Sequence, residues 1–192
     1  DSDLFNRFQL KGYKFIQPWD ALVYHFTSRG SRFNKHAGGA AGQNSQEWIH
    51  TTTKNGRNFI RKWGHTVKHD RLMKPIIPPK YDIGIILPYN NVDVLRALEP
   101  WCNNIYCDSH LRRHYITVEQ PNTIMDLSKR VLPYHNEKNN SILITTNDKF
   151  TQEDFNNIIQ LSEILSDSGE KGEFKLGNLK LEIFNLEIEI IK

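Results

Sequence analysis

Asp1-Ser2-Asp3-Leu4-Phe5-Asn6-Arg7-Phe8-Gln9-Leu10-Lys11-Gly12-Tyr13 opens the chain, and Lys14-Phe15-Ile16-Gln17-Pro18-Trp19-Asp20-Ala21-Leu22-Val23-Tyr24-His25-Phe26 follows it. Leu4, Phe5, Phe8 and Leu10 recur at spacings near three and four. Asp1 and Asp3 stand where carboxylates favour a helix N-terminus, and Gly12 supplies a left-handed stop, so residues 2–11 read as a short amphipathic helix. Residues 14–17 read as a strand, 18–20 as a turn, and 21–26 as a nearly continuous apolar strand of the kind buried on both faces of a sheet. Helix and strands in this order belong to the α/β class. The polar residues fall at element ends, where side chains can face a cleft.

The next segment, His25-Phe26-Thr27-Ser28-Arg29-Gly30-Ser31-Arg32-Phe33, sets a histidine at the end of the buried strand and two arginines in a hydroxyl-rich loop. Such a set can bind a metal and grip a diphosphate. It also suits a partly buried, backbone-bonded histidine beside a solvated loop, and Asp1 and Asp3 equally suit plain helix N-capping. Residues 34–50 are polar and glycine-rich, which fits a lid over a ligand or a flexible linker. Trp48, Ile49, Thr52, Phe59, Ile60, Trp63, Val67 and Leu72 then mark an amphipathic helical stretch interrupted at Asn55-Gly56. His65 and His69 would share one face of it, but no third ligand or glutamate accompanies them as in a zinc protease motif.

The full sequence has 192 residues, 38% hydrophobic and 24% charged, the balance of an ordinary soluble globular chain of one or two domains. No apolar run approaches the roughly 20 residues of a membrane helix. Its two cysteines, Cys102 and Cys107, lack partners at zinc-ribbon spacing and read as reduced thiols in a cytoplasmic setting. Charge is uneven: residues 1–80 carry 14 Lys and Arg against 5 Asp and Glu, whereas residues 81–192 carry 11 against 17. The basic part suits an anionic ligand. Between the two lies Leu72-Met73-Lys74-Pro75-Ile76-Ile77-Pro78-Pro79-Lys80, whose prolines favour an extended connector. The expected organisation is a domain over 1–72, a proline-rich linker over 73–80 and a small α/β domain over 81–192.

The first block resembles the end of the catalytic domain of family 2 glycosyltransferases of the GT-A fold. There an acidic motif opens a helix of the form D-x-D-L-x-x-R-x-x-x-x-G-Y, followed by a strand, a turn and a second strand ending in histidine. Asp1, Asp3, Leu4, Arg7, Gly12, Tyr13 and His25 stand at those landmarks in order. Phe59-Ile60-Arg61-Lys62-Trp63-Gly64 is similar to the F-x-R-K-W-G that commonly ends such a domain. The resemblance implies a partial GT-A segment whose donor-binding first half is missing. It further implies inverting transfer of a sugar from a nucleotide-sugar donor to a hydroxyl acceptor such as a glycan, with Asp1 as general base. A divalent metal, Mn2+ or Mg2+, would lie on the donor diphosphate with His25 among its ligands, Arg29 and Arg32 as donor contacts, and Asp3 supporting the helix or the acceptor pocket. Phe59 and Trp63, at i and i+4, are expected to be core.

In the acidic part, residues 81–87 read as a strand, 92–101 as a helix, 104–107 and 114–119 as strands, 141–146 as a strand and 152–165 as a helix. Two strands close it, 174–176 and 179–191, the latter slipping at Phe184-Asn185 through a bulge or turn. Asp82, Asp108, Glu119 and Asp126 show no recognisable spacing, and no glycine fingerprint for nucleotides occurs. Two other readings stand beside the transferase. One is a non-catalytic interaction module; the other, weaker, is nucleic-acid binding by the basic part, against which its aromatics fall at core spacings and no nucleic-acid motif occurs.

Overall fold

The computed structural model describes residues 2–16, 18, 20–21, 46–134 and 140–189. The chain forms two compact units, Asp1–Arg57 with His69–Ile76, and Asn58–Lys68 with Ile77–Lys192.

In the first unit, helix α1 (Ser2–Leu10) ends as its sequence requires. Gly12 takes φ 73°, its N–H donates to the Gln9 carbonyl (3.0 Å), and the Tyr13 N–H donates to the Phe8 carbonyl (3.1 Å). The rings of Tyr13 and Phe8 meet edge to face at 5.4 Å, completing a Schellman stop with its apolar clasp. Lys14, Phe15 and Ile16 form no strand, since no neighbouring strand pairs with them among the described residues. Of the second expected strand, 21–26, residues 22–26 lie outside the described residues.

Helix α2 (Gln46–Trp63) runs unbroken through Asn55-Gly56, contrary to the expected interruption. Gly56 lies on an open face where a Cβ would meet nothing within 4 Å, so it costs the helix propensity but no packing. The stop comes at Gly64, with φ 76° and its N–H on the Ile60 carbonyl (2.7 Å). His65 and His69 therefore do not share a helical face. His69 forms an isolated bridge with Pro75 around a turn at Asp70, whose carboxylate accepts from the N–H groups of Leu72 and Lys74.

The second unit is built on β1 (Ile83–Ile86), β2 (Asn104–Cys107), β3 (Val131–Pro133), β4 (Ile142–Thr145), β5 (Gly172–Leu176) and β6 (Leu179–Ile183). They form one six-stranded mixed sheet in the order β3-β2-β1-β4-β6-β5, so this unit is α/β. The strands β1 to β4 are parallel, while β6 runs antiparallel to both β4 and β5. Helices α3 (Val92–Leu98), α4 (Ser109–Glu119) and α5 (Gln152–Ser168) follow β1, β2 and β4. Leu95 and Leu98, Leu111 and Tyr115, and Ile158, Leu161 and Leu165 all join one core with Ile83, Ile85, Ile105, Ile142, Ile144, Leu181 and Ile183. Alternate strand residues pack there, so all three helices cover the same face.

The opposite face is organised around Asn140. A Cβ on Gly84 would lie 2.4 Å from the Asn140 Oδ1, so only glycine admits this side chain. Asn140 accepts from the Tyr106 hydroxyl (2.5 Å) and donates to Asp82 (2.7 Å) and Asn104 (3.1 Å).

The expected strand over 114–119 is helix α4. Its β-branched residues suggested extension, but Asp108 caps the helix by accepting from the His110 and Leu111 N–H groups, and Leu111, Tyr115 and Glu119 fall on one buried face at helical spacing. At the chain's other slip point, Phe184 and Asn185 both donate to the Ser141 carbonyl, which ends β6; Ile188 then bridges to Tyr81. Thr151 and Asp154 form a capping box at the start of α5. Asp154 also accepts from the N–H and side chain of Asn178 in the β5–β6 turn (2.8 and 3.0 Å). Burial pushes the Asp154 carboxyl upward, and these bonds from Asn178 and Thr151 outweigh it, holding the group below the usual carboxylate range.

Candidate functional site

Of the residues with an expected role in sugar transfer, Asp3 is placed by the structure, whereas Asp1, His25, Arg29 and Arg32 lie outside the described residues. Asp3 sits in the first turn of α1 and pairs with Arg7 one turn on (3.1 Å), both side chains about half exposed. A carboxylate there is favoured by the helix dipole and by the i,i+4 pair. Asn6 is the buried residue of this helix.

The Phe59–Gly64 motif ends α2 and contributes a charge to the interior of the second unit. Arg61, 1% exposed, forks onto the Glu99 carboxylate with Nε and an Nη donor (3.0 and 2.7 Å) and reaches Glu119 with the same Nη. Glu99, fully buried, also accepts from Arg130 Nε (2.9 Å) and from the Tyr115 hydroxyl (2.9 Å). Arg130 Nη2 donates to the carbonyls of Glu99 and Cys102. Burial works against every charge here. For Glu99 the adjacent guanidinium groups of Arg61 and Arg130 outweigh it, so its carboxyl is held below the usual range; for Arg61 the two carboxylates outweigh it and raise its pKa further. Its charges pair with one another in the interior, which makes the cluster a structural brace.

In a parallel sheet, ligands bind beyond the carboxyl ends of the strands where the strand order reverses, here between β1 and β4. The segment after β1 is Leu87-Pro88-Tyr89-Asn90-Asn91, without the glycines that let a backbone cradle phosphate. Asn91 caps α3, the Tyr134 hydroxyl donates to the Leu87 carbonyl, and Thr146 Oγ1 donates to the Ile86 carbonyl (3.0 Å), whereas the Tyr89 hydroxyl is buried without a hydrogen-bond partner among the described residues. Beside it, an open cleft of about 330 Å³ is lined by Thr145, Thr146, Asn147, Lys175, Asn178, Leu179 and Lys180. Lys180 is already paired with Glu173 and Glu182 (3.3 and 3.1 Å). The acidic residues without a readable spacing are all structural: Asp82 holds Asn140 and the Ser141 N–H, Asp108 caps α4, Asp126 caps the turn Leu127–Lys129, and Glu119 pairs with Arg61. Their partners lie far away in sequence or within one turn, which is why no catalytic spacing exists to read.

His65 is 4% exposed; its Nδ1 faces the Thr66 carbonyl at 2.5 Å, which makes it the protonated nitrogen, and Nε2 has no hydrogen-bond partner among the described residues. Burial lowers its pKa below 6.5 against the pull of the Thr66 carbonyl, with Lys68 adding to the lowering and Glu163 opposing it. The folded state therefore binds a proton less readily than the unfolded chain. Stability is full above about pH 6.5, where both states are neutral, and declines as pH falls below it. The urea midpoint of the wild type is expected to drop between pH 7.5 and 5.5 more than that of His65→Gln; equal drops would show that another group governs this range.

Both cysteines are buried free thiols, and burial pushes each upward, so neither is a reactive thiolate. Among the described residues no three His, Cys, Asp or Glu side chains are grouped to hold a metal ion, and none of the helices is long and apolar enough to cross a membrane. Comparison with protein-family models, with curated proteins and with solved structures returned no match for this chain.

Proposed function

We propose that residues 1–72 are the C-terminal portion of the catalytic domain of an inverting family 2 glycosyltransferase of the GT-A fold, acting in the cytoplasm, with residues 81–192 as an appended α/β domain. The order of landmarks from Asp1 through Gly12-Tyr13 and His25 to Phe59–Gly64 carries the reading. Two local structures support it. Helix α1 closes on the Gly12-Tyr13 pair with its Schellman bonds, and α2 closes on Trp63-Gly64. The buried free thiols suit a reducing compartment.

In this reading Asp1 takes the proton from the acceptor hydroxyl as its oxygen attacks the anomeric carbon. The bond from that carbon to the donor phosphate oxygen breaks on the opposite face, which inverts the centre and releases a nucleoside diphosphate. Asp3 steadies α1 or the acceptor pocket beside it. Arg29 and Arg32 offer planar guanidinium donors to the diphosphate oxygens. A divalent cation would supply charge neutralisation on that diphosphate, and His25 is the residue of this segment to hold it.

The test is donor hydrolysis by the full-length protein against a panel of nucleotide sugars with manganese. Asp1→Asn is expected to keep donor binding and to lose turnover by about a hundredfold or more, and His25→Ala to need more manganese for half-maximal rate. A wild type with neither turnover nor nucleotide affinity would sink the enzyme reading and leave an interaction module.

A further inference from the structure

The two edges of the sheet are unlike. Strand β3 is three residues long and ends in Pro133, which has no N–H to offer; such an edge resists pairing. Strand β5, Gly172-Glu173-Phe174-Lys175-Leu176, is five residues long and pairs only with β6 among the described residues.

Which backbone groups of β5 face outward follows from the ladder. The Phe184 N–H bonds the Ser141 carbonyl, so even-numbered residues of β6 turn their backbone groups toward β4 and odd-numbered ones toward β5. In the register Phe174↔Leu181 and Leu176↔Leu179, the β5 residues bonded to β6 are therefore Gly172, Phe174 and Leu176. Glu173 and Lys175 direct their N–H and C=O groups to the open edge.

That parity restricts how a second copy can pair there. An antiparallel two-fold centred on Glu173 or Lys175 sets like charges opposite each other. One centred on Phe174 sets Glu173 opposite Lys175 of the second copy and Lys175 opposite its Glu173. Both are hydrogen-bonded pairs, and the two Phe174 residues meet as a non-bonded pair. Both charged side chains are exposed. Glu173 is shared with Lys180, whereas Lys175 has no carboxylate partner among the described residues. We infer that the outer edge of β5 is a self-association surface through which two copies of this chain join their sheets antiparallel about Phe174.

The experiment is sedimentation velocity on the full chain from low micromolar to submillimolar concentration. The wild type is expected to dimerise reversibly. K175E, with an all-acidic edge, and E173K, with an all-basic one, are each expected to associate at least about tenfold more weakly, since opposite cross-strand charges become like charges twice over. An equimolar mixture of the two is expected to regain dimer, because each edge then meets its complement. Lys175→Pro removes an outward N–H while leaving the bonds to β6, and is expected to stay monomeric with an unchanged melting temperature. A wild type that is monomeric throughout, a dimer indifferent to K175E, or a mixture no more associated than its components would each overturn the assignment.

Discussion

Glu99→Ala is expected to destabilise the second unit by about 3–5 kcal/mol, the cost of breaking a buried ion pair from one side. The carboxylate is fully buried and takes bonds from Arg61, Arg130 and Tyr115. Its removal leaves Arg61, 1% exposed, with Glu119 as its remaining carboxylate, and strands a phenol and part of a second guanidinium in the interior. Glu119→Ala is expected to cost less, since Arg61 keeps its fork onto Glu99. Replacing Arg61, Glu99, Glu119 and Arg130 together by apolar residues of similar size, with Tyr115→Phe, should recover most of the loss, because the desolvation of the charges and of the phenol is then removed with their attraction. Urea unfolding of the four proteins checks the ranking. A Glu99→Ala variant within about 1 kcal/mol of wild type would show that water reaches and compensates the cluster.

Trp63→Ala is expected to cost a similar 3–5 kcal/mol, as large-to-small changes of fully buried aromatics do. Trp63 is 0% exposed, ends α2, and stands 6.1 Å from the Phe59 ring with the Lys62 ammonium 5.2 Å over its face. The residue after it is committed to a left-handed backbone by Gly64, so the helix end has little freedom to slide into the space left behind. Trp63→Phe keeps most of the apolar volume and should lose less than half as much. Thermal unfolding is the measurement, and an alanine variant melting within a few degrees of wild type would contradict this account.

How much of this was legible depends on the kind of signal each element carries. Asn104–Cys107 is found where the sequence places it, because a short apolar run between Asn103 and Asp108 has few alternatives. Helix α5 begins at Gln152, where the apolar spacing over 152–165 places it, and runs on to Ser168 before the left-handed Gly169. Strand β3, three residues with a proline, carries no strand pattern of its own, and its place in the sheet is set by β2. In helix α4 the β-branched residues at 116–118 obscure the spacing of Leu111, Tyr115 and Glu119, and the sequence suggests a strand there. The Arg61 cluster was invisible for another reason: its members come from four separate segments, and no periodicity links charges that meet only after folding. Of the transfer residues, Asp3 alone falls among those described, engaged with Arg7 as an i,i+4 pattern suggests.

The strand order also governs when this sheet can close. Strand β1 lies between β2 and β4, yet β4 is made after both β2 and β3, and Asp82 waits for Asn140 and the Ser141 N–H to arrive. On a ribosome, β1, β2 and β3 with their two helices emerge first, leaving one side of β1 bare. That interval is the stage at which the nascent chain is most open to wrong pairing and to chaperones. Folding of this unit is thus timed by the synthesis of Asn140–Thr145, and slowing translation just before that stretch should raise the yield lost to aggregation more than slowing it anywhere after.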